Sequence, residues 1–344
     1  MAPRITVDLI DTVKLRAQEL VRDGARRLAH LRYADLRLEV SEGKWASAEN
    51  GTPKGSGDDY AFTLGIRVLA GERMIAPGYV GLTLGAADVD HLERLIGDAL
   101  ERAYRRALVN GELKAAAREK FGSLGESLAD TRLHPIDVRQ DTVPAVYAVD
   151  PRAMDLGAMI RYTTDVSRQV AAVDPAVKHN AIATLTQLSR ELFVSTEGAL
   201  VDQAFALTQG MCSLVAVSGE TSQELYDVTG HQRGWEILVD GVHEPLLGFP
   251  SFVDFSLELA REGVALAAAP PLPGREGEVV VVTDPHYNTL VSHEIVGHPV
   301  ELDRALKMET AYAGRSWLLG GLDEHQIGKR VASPLVTAYS QPPI

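Results

Sequence analysis

The sequence predicts an α+β protein with two domains. In the first half, segments with apolar residues at helical spacing alternate with strands, which predicts an N-terminal α/β domain over residues 1–175 with long helices packed on a sheet. Short β-rich runs dominate the second half, which predicts a C-terminal β-rich domain over residues 176–344. A stretch rich in histidine and acid follows an apolar run there, so this domain is expected to bear the functional helix. A chain of 344 residues is long enough for two such cores.

The first elements follow from hydrophobic periodicity. Apolar residues at helical spacing predict an amphipathic helix over 7–29. Strict alternation predicts half-buried strands in "ADLRLEV" at 34–40 and "FTLGIRV" at 62–68. The polar stretch between them, 50–59, is expected to be a turn-rich loop, and a hairpin is expected at Gly71-Glu72.

A long second helix is predicted from Asp88, which can cap it, to about Val109, with Asn110-Gly111 as its stop signal. Residues 121–151 lose all periodicity and are expected to form a surface connection. Asp150-Pro151 then predicts the start of another helix, over roughly 153–172.

The second half changes character. Residues 179–240 contain several β-rich runs, and Thr196-Glu197-Gly198 predicts a hairpin turn between two of them. Helical spacing of apolar residues predicts a helix over 251–268. The continuous apolar run "EVVVVT", 278–283, predicts a strand that is buried on both faces.

Composition narrows the class of protein. The formal net charge is -13 and no basic block stands out, which disfavours a nucleic-acid-binding surface. The single cysteine, Cys212, lies in an apolar strand, where a core role is expected, and one cysteine cannot form an intrachain disulfide. The first residues do not read as a signal peptide, and no apolar run approaches the roughly 20 residues of a membrane span. A soluble cytoplasmic protein with no membrane partner is expected.

The stretch "VSHEIVGHPVELD", 291–303, resembles a metal site with one residue too many. His293 and Glu294 begin an H-E-x-x-H pattern, but the second histidine is His298. Residues five apart lie about 140° apart on a regular helix, so the two imidazoles could not share a metal. A π turn brings such positions onto one face. Gly297 and Pro299 weaken regular helix on either side of His298, so a local π turn is predicted.

This arrangement indicates metal chemistry. Neutral imidazoles of His293 and His298 are typical zinc ligands, and Glu294 beside them is placed as a general base. Glu301 is either a third ligand or a group that orients a histidine, and Asp303 is a weaker candidate for the latter role. The alternative is a structural or solvated pair of histidines that binds no metal.

The segment "HEIVGHPVELDRAL", 293–306, is similar to the signature of the TldD/PmbA family, in its TldD-like active branch. "STEGALVDQ" and "AYAGRSWL" resemble other stretches of that family. The resemblance implies a cytoplasmic zinc metalloprotease that cleaves unfolded or leader peptides. It also implies zinc ligation by His293 and His298 and base catalysis by Glu294. A family partner is expected, either a second copy in a homodimer or a TldE/PmbA-like paralogue in a heterodimer.

One departure from the family pattern limits this expectation. The resemblance implies a third ligand that is a cysteine well beyond the motif, and no cysteine follows Cys212. The chain is therefore expected either to lack the C-terminal part of the family's domain or to use another ligand, for which Glu301 is the best placed. The alternative functions are a non-catalytic peptide-binding or assembly subunit and an inactive truncated family member.

Overall fold

The fold is described from a computed structural model, which covers residues 5–122, 137–244, 248–274, 277–305, 316–318, 320 and 326–338. The chain forms two compact units, Met1–Pro271 and Leu272–Ile344.

A seven-stranded sheet forms the frame of the first unit. Its order is β3-β2-β1-β5-β6-β4, β7 pairs with β6, and the sheet is curled into a half-barrel. The strands are β1 Leu31–Glu49, β2 Thr52–Ala70, β3 Ala76–Thr83, β4 Gln140–Val143, β5 Val177–Ser195, β6 Leu200–Ser218 and β7 Thr221–His231. All neighbours are antiparallel except β4 and β6, which are parallel. The long strands carry alternating apolar residues, so one face of the sheet is buried.

Among the described residues of the first unit, five α-helices are present: α1 Leu9–Arg26, α2 Leu92–Phe121, α3 Leu156–Ala171, α4 Glu236–Asp240 and α5 Phe252–Ala268. Helices α1 and α2 pack on the β3-β2-β1 half of the sheet, around Leu36, Leu38 and Ile66. Helices α3 and α5 pack on the same face further along, around Ile182 and Leu214. Both cores therefore lie on one side of one sheet, and the α+β prediction is confirmed.

Several sequence predictions agree with these elements. Helix α1 lies within the predicted 7–29, and the predicted helices near 153–172 and 251–268 are α3 and α5. The predicted turn at 196–198 joins β5 to β6, with Gly198 at a φ of 103°. Cys212 is fully buried in β6, where desolvation raises the pKa of its thiol to about 12, as suits a core residue.

The expected loop over 50–59 is wrong, because most of it belongs to β2. Strands β1 and β2 are joined by the two residues Asn50 and Gly51, whose φ angles are 48° and 73°. Positive φ at both central positions is what a tight hairpin turn demands, and Asn-Gly supplies it at the lowest strain. Ser, Gly and Lys residues after the turn are tolerated because this part of β2 is largely exposed.

The predicted end of the second helix is also wrong, because α2 continues to Phe121. Asn110 donates a hydrogen bond to the carbonyl of Pro77, and a Cβ on Gly111 would lie 2.4 Å from the carbonyl oxygen of Met74. These two residues allow the helix to approach the β2–β3 hairpin closely. Tertiary packing thus outweighs the local stop signal.

The predicted division at residue 175 is not seen in the sheet. Strands β1 and β5 come from the two sides of that position, and they are hydrogen-bonded neighbours from Asp35↔Ser195 to Glu49↔Ala181. The first unit accordingly extends to Pro271. A change in local composition reflects the lengths of neighbouring elements and does not reveal which distant strands pair.

An ionic cluster attaches α1 to β5 and β6. The guanidinium of Arg190 donates two hydrogen bonds to Asp202, each of 2.7 Å, and two more to Asp11 at 2.6 and 3.0 Å. Lys14 Nζ lies 3.2 Å from Asp202 as well. Asp202 is only 1% exposed, so its charge depends on these partners.

Gly78 in β3 allows close contact between the sheet and α2. A Cβ there would lie 1.9 Å from the carbonyl oxygen of Ala103 and 2.5 Å from the amide nitrogen of Ala107. We expect Gly78→Ala to lower the free energy of unfolding by about 3 kcal/mol, because helix backbone must shift. Chemical denaturation measures this change.

Gly97 in α2 provides a matched control, since no atom lies within 4 Å of its Cβ position. Gly97→Ala is expected to raise the free energy of unfolding by up to about 1 kcal/mol, the difference in helix propensity. Equal effects at Gly78 and Gly97 would contradict the close-packing explanation.

The second unit contains α6 Pro285–Ser292, a π turn His293–Gly297, a 3-10 turn His298–Val300 and the short helix α7 Leu302–Ala305. The predicted buried strand over 278–283 is wrong: the segment is not a strand, and Val280 and Val282 are more than nine-tenths exposed. An extended segment becomes a strand only beside a hydrogen-bonding neighbour. None of the described residues between 277 and 338 belongs to a strand that could be this neighbour.

Across the described ranges, no helix is both long and apolar enough to cross a bilayer.

Candidate metal site

Helix α6 carries the chain into the site. Asp284 caps it by accepting a hydrogen bond from the amide of Tyr287 at 2.7 Å, and Pro285 occupies the first helical turn, where no amide donor is needed. The helix ends at Ser292, so His293 is the first residue of the next element.

That element is a π turn, as the spacing of the histidines predicts. It spans His293–Gly297, and the amide of His298 donates to the carbonyl of His293, five residues earlier. Gly297 and Pro299 then lead into a 3-10 turn, in which the missing amide of Pro299 leaves no unmet donor. The extra residue is absorbed within one turn, and both histidines lie on one side.

The two imidazole rings are in contact. Their centroids lie 4.3 Å apart and their planes meet at 77°. Glu294 joins them: its Oε2 lies 3.8 Å from His298 Nε2, and one donor atom from each of His293, Glu294 and His298 lies within 4.8 Å of the others. Two nitrogen ligands of a tetrahedral zinc are about 3.3 Å apart, so small side-chain rotations would fit them to one ion. The donor set suits a borderline metal such as zinc.

Exposure differs among the three side chains. Glu294 is about two-thirds exposed, whereas His298 is about one-fifth exposed. An exposed carboxylate beside two imidazoles is accessible to water and to a large ligand. The site therefore lies at the surface of the second unit.

Glu301 contacts the cluster from behind. Its Oε1 lies 2.8 Å from His298 Nδ1, and its Oε2 accepts a hydrogen bond from Arg304 Nε. Both Glu301 oxygens therefore have hydrogen-bond partners, and the one at His298 is Nδ1, whereas Glu294 lies near Nε2. The three-residue cluster does not include Glu301. The hydrogen bonds from Arg304, first, and then His298 hold the pKa of Glu301 below its ordinary value.

Asp303 is not brought to the histidines by any described contact. Its Oδ1 accepts a hydrogen bond from the amide of the next residue, Arg304, and its side chain is exposed. It acts locally at the start of α7.

Two buried residues of this region are not predicted as site residues from the sequence. Arg304 is only 6% exposed, and Ser316 is 2% exposed. Ser316 Oγ donates to the carbonyl of Pro299 and accepts from the amide of Leu318 at 2.9 Å, which fixes the turn after His298. The three-residue spacing of His298, Glu301 and Arg304 could have indicated a role for Arg304 from the sequence. The contact of Ser316 with Pro299 could not be predicted without the fold.

A separate cavity of about 640 Å³ lies in the first unit, on the face of β1, β2 and β3 that α1 and α2 do not cover. Its lining includes Arg37, Arg67 and Tyr79, and it contains none of the predicted site residues. Its size does not bear on the metal chemistry, which requires the imidazole cluster.

Comparison with known proteins finds similarity to a metallopeptidase family and to two metalloproteases. Residues 34–114 match the profile described as PmbA/TldA metallopeptidase domain 1. This part of the chain is similar to the PmbA/TldD metallopeptidase family. The chain is 20% identical over 309 residues to a metalloprotease of Methanocaldococcus jannaschii, covering 89% of this chain and 57% of that protein. It is 26% identical over 178 residues to a metalloprotease of Methanothermobacter thermautotrophicus, covering 52% of this chain and 34% of that protein.

Among solved structures, the chain is similar to TldE from Thermococcus kodakarensis, with a TM-score of 0.46 and 13% identity. That match covers 72% of this chain and 47% of TldE. The matched region covers about half or less of the length of each of these relatives.

Proposed function

We propose that this protein is a zinc-dependent peptidase of the PmbA/TldD type that cleaves unfolded or leader peptides in the cytoplasm. The observation that supports the proposal is the π turn, because one possible ligand atom from each of His293, Glu294 and His298 lies within 4.8 Å of the others there. Distant identity to two metalloproteases supports the class of reaction.

In this proposal His293 and His298 hold the metal. Zinc bound there would polarise the scissile carbonyl and lower the pKa of water. Glu294 accepts the proton of the attacking water and passes it to the leaving amine, which its exposed carboxylate can reach. Glu301 holds His298 in place and does not ligate, since both of its oxygens already accept hydrogen bonds.

The described cluster offers two imidazoles and one carboxylate. A catalytic zinc ordinarily has three protein ligands. We propose that the remaining ligand comes from outside this described cluster, and that the protein assembles with a second copy or a TldE/PmbA-like paralogue.

Metal content tests the proposal. Purified protein loaded with zinc and then dialysed is expected to retain close to one equivalent, whereas His293→Ala and His298→Ala are expected to retain almost none. His243→Ala is the matched control, because His243 is exposed in the first unit, outside the cluster. Zinc retention by both cluster variants would refute the proposed ligands.

A non-catalytic peptide-binding or assembly subunit is the second candidate, favoured by the presence of only two imidazoles in the described cluster. Absence of bound zinc from the wild-type protein, combined with retention of an unstructured peptide, would support this second function.

A further inference from the structure

Three side chains, spaced three residues apart in the sequence, form successive contacts that begin at His298 of the cluster. His298 contacts Glu301, and Glu301 contacts Arg304. His298 begins a 3-10 turn that ends at Val300, Glu301 is extended, and Arg304 lies in α7. These turns bring a ring, a carboxylate and a guanidinium into successive contact.

We propose that Arg304 is a positioning residue of the metal site, which acts through Glu301 to present His298 Nε2 to the metal. The inference rests on the proposed function and deepens it, because it assigns a role to a buried residue that does not touch the cluster.

Burial makes the Arg304–Glu301 contact obligatory. Arg304 is buried, and its Nη1 is fully shielded and has no acceptor among the described residues. A buried guanidinium requires a counter-charge, and the Glu301 carboxylate supplies it through Nε. Because Arg304 is buried and pairs with Glu301 through Nε, it fixes the position of Oε2.

A fixed Glu301 in turn selects one form of His298. An ionised carboxylate only accepts hydrogen bonds, so His298 Nδ1 must carry the proton that points to Oε1. In the neutral ring the free lone pair is then on Nε2, which faces Glu294 at 3.8 Å. Nε2 is the atom that a metal in the cluster would bind.

Two measurements test the chain of contacts. In the metal-free protein at about pH 8, where free imidazoles are neutral, nitrogen chemical shifts report the tautomer of His298. We expect the Nδ1–H form to dominate in wild type, and the Nε2–H form to increase in Arg304→Gln and in Glu301→Gln. Zinc affinity, measured by competition with a coloured chelator, is expected to fall about 10- to 100-fold in each variant.

The double variant separates positioning from a general structural role. If Arg304 acts through Glu301, the double variant Glu301→Gln/Arg304→Gln binds zinc about as well as Glu301→Gln alone. Additive losses would overturn the proposal, as would a wild-type tautomer ratio in Arg304→Gln. If Arg304→Gln does not fold, Arg304→Lys replaces it, with a smaller loss expected because the charge remains but the Nε donor is removed.

Arg190→Lys is the matched control, since Arg190 is also a shielded arginine that binds carboxylates, but in the first unit. It is expected to lower thermal stability without changing the His298 tautomer or zinc affinity. A change in either readout would attribute the Arg304 effect to general destabilisation and overturn the proposal. Loss of zinc binding in wild type refutes the proposed function, whereas a wild-type tautomer in Arg304→Gln with intact zinc binding refutes only the role of Arg304.

Discussion

Replacing Glu294 by glutamine is expected to slow peptide cleavage by about 100- to 10,000-fold while the protein still binds zinc. The amide has nearly the same shape as the carboxylate, but it cannot accept the proton of the attacking water. The imidazoles of His293 and His298 are unchanged, so metal affinity is expected to stay within a small factor of wild type. Cleavage of an unstructured peptide by the zinc-loaded protein, followed by mass spectrometry, measures the effect.

Glu278→Gln is the control for this experiment, because Glu278 is an exposed carboxylate of the same unit. It is expected to cleave at the wild-type rate. Undiminished cleavage by Glu294→Gln would remove Glu294 from the mechanism. Joint loss of zinc and cleavage would instead make Glu294 a ligand, which the distances within the cluster also allow.

The second large effect is expected at Asp202. Asp202→Ala is expected to lower the free energy of unfolding by about 3–5 kcal/mol, the usual loss when one member of a buried ion pair is removed. The variant leaves Arg190 largely buried with Asp11 as its remaining partner. Urea denaturation near neutral pH measures the change.

The loss should depend on pH in a defined direction. Arg190, chiefly by its hydrogen bonds, holds the pKa of Asp202 below the ordinary 3.8, and it lowers that of Asp11 to about 2. A lowered pKa in the folded protein gives stability that is present above pH 3.8 and is lost as the pH falls through the folded value. The difference between wild type and Asp202→Ala is therefore expected to be constant above about pH 5 and to shrink below pH 4.

Glu93→Ala is the matched control, because Glu93 pairs with Arg16 of α1 entirely at the surface. Exposed pairs contribute little, so its unfolding curve is expected to stay close to that of wild type. If Glu93→Ala lowers the free energy of unfolding as much as Asp202→Ala does, then an exposed ion pair of α1 contributes as much as the buried one, and the explanation by burial is wrong.

Local patterns predicted most helices and the central parts of the strands. Alternation in β1 and β2 was readable because one face of the sheet is covered by helices. The Asn50-Gly51 turn was predicted only as part of a longer loop over 50–59, because the polar residues after it obscured the start of β2. The pairing of β1 with β5 was not readable, since it joins segments about 140 residues apart. The run 278–283 shows the converse limit: strand-forming residues without a described neighbour strand remain exposed.

The candidate site was predicted in part. The spacing of His293 and His298, with Gly297 and Pro299, was sufficient to predict a π turn. The choice between two roles for Glu301 required the distances, because the sequence does not show that both oxygens are occupied. Its metal and its reaction remain predictions, for which the zinc and cleavage measurements are decisive.

The π turn also makes the length of this stretch a functional property. Deleting one residue between Glu294 and His298 restores the spacing of a regular helix, and a single-codon deletion thereby converts this motif into H-E-x-x-H. The two histidines would still lie on one face, and Glu301 and Arg304 would keep their spacing from His298. In contrast, inserting or deleting one residue between His298 and Arg304 would change the three-residue spacing that joins His298 to Glu301 or Glu301 to Arg304. In a deep insertion and deletion scan, the segment before His298 is therefore expected to tolerate the loss of one residue, and the segment after it is not.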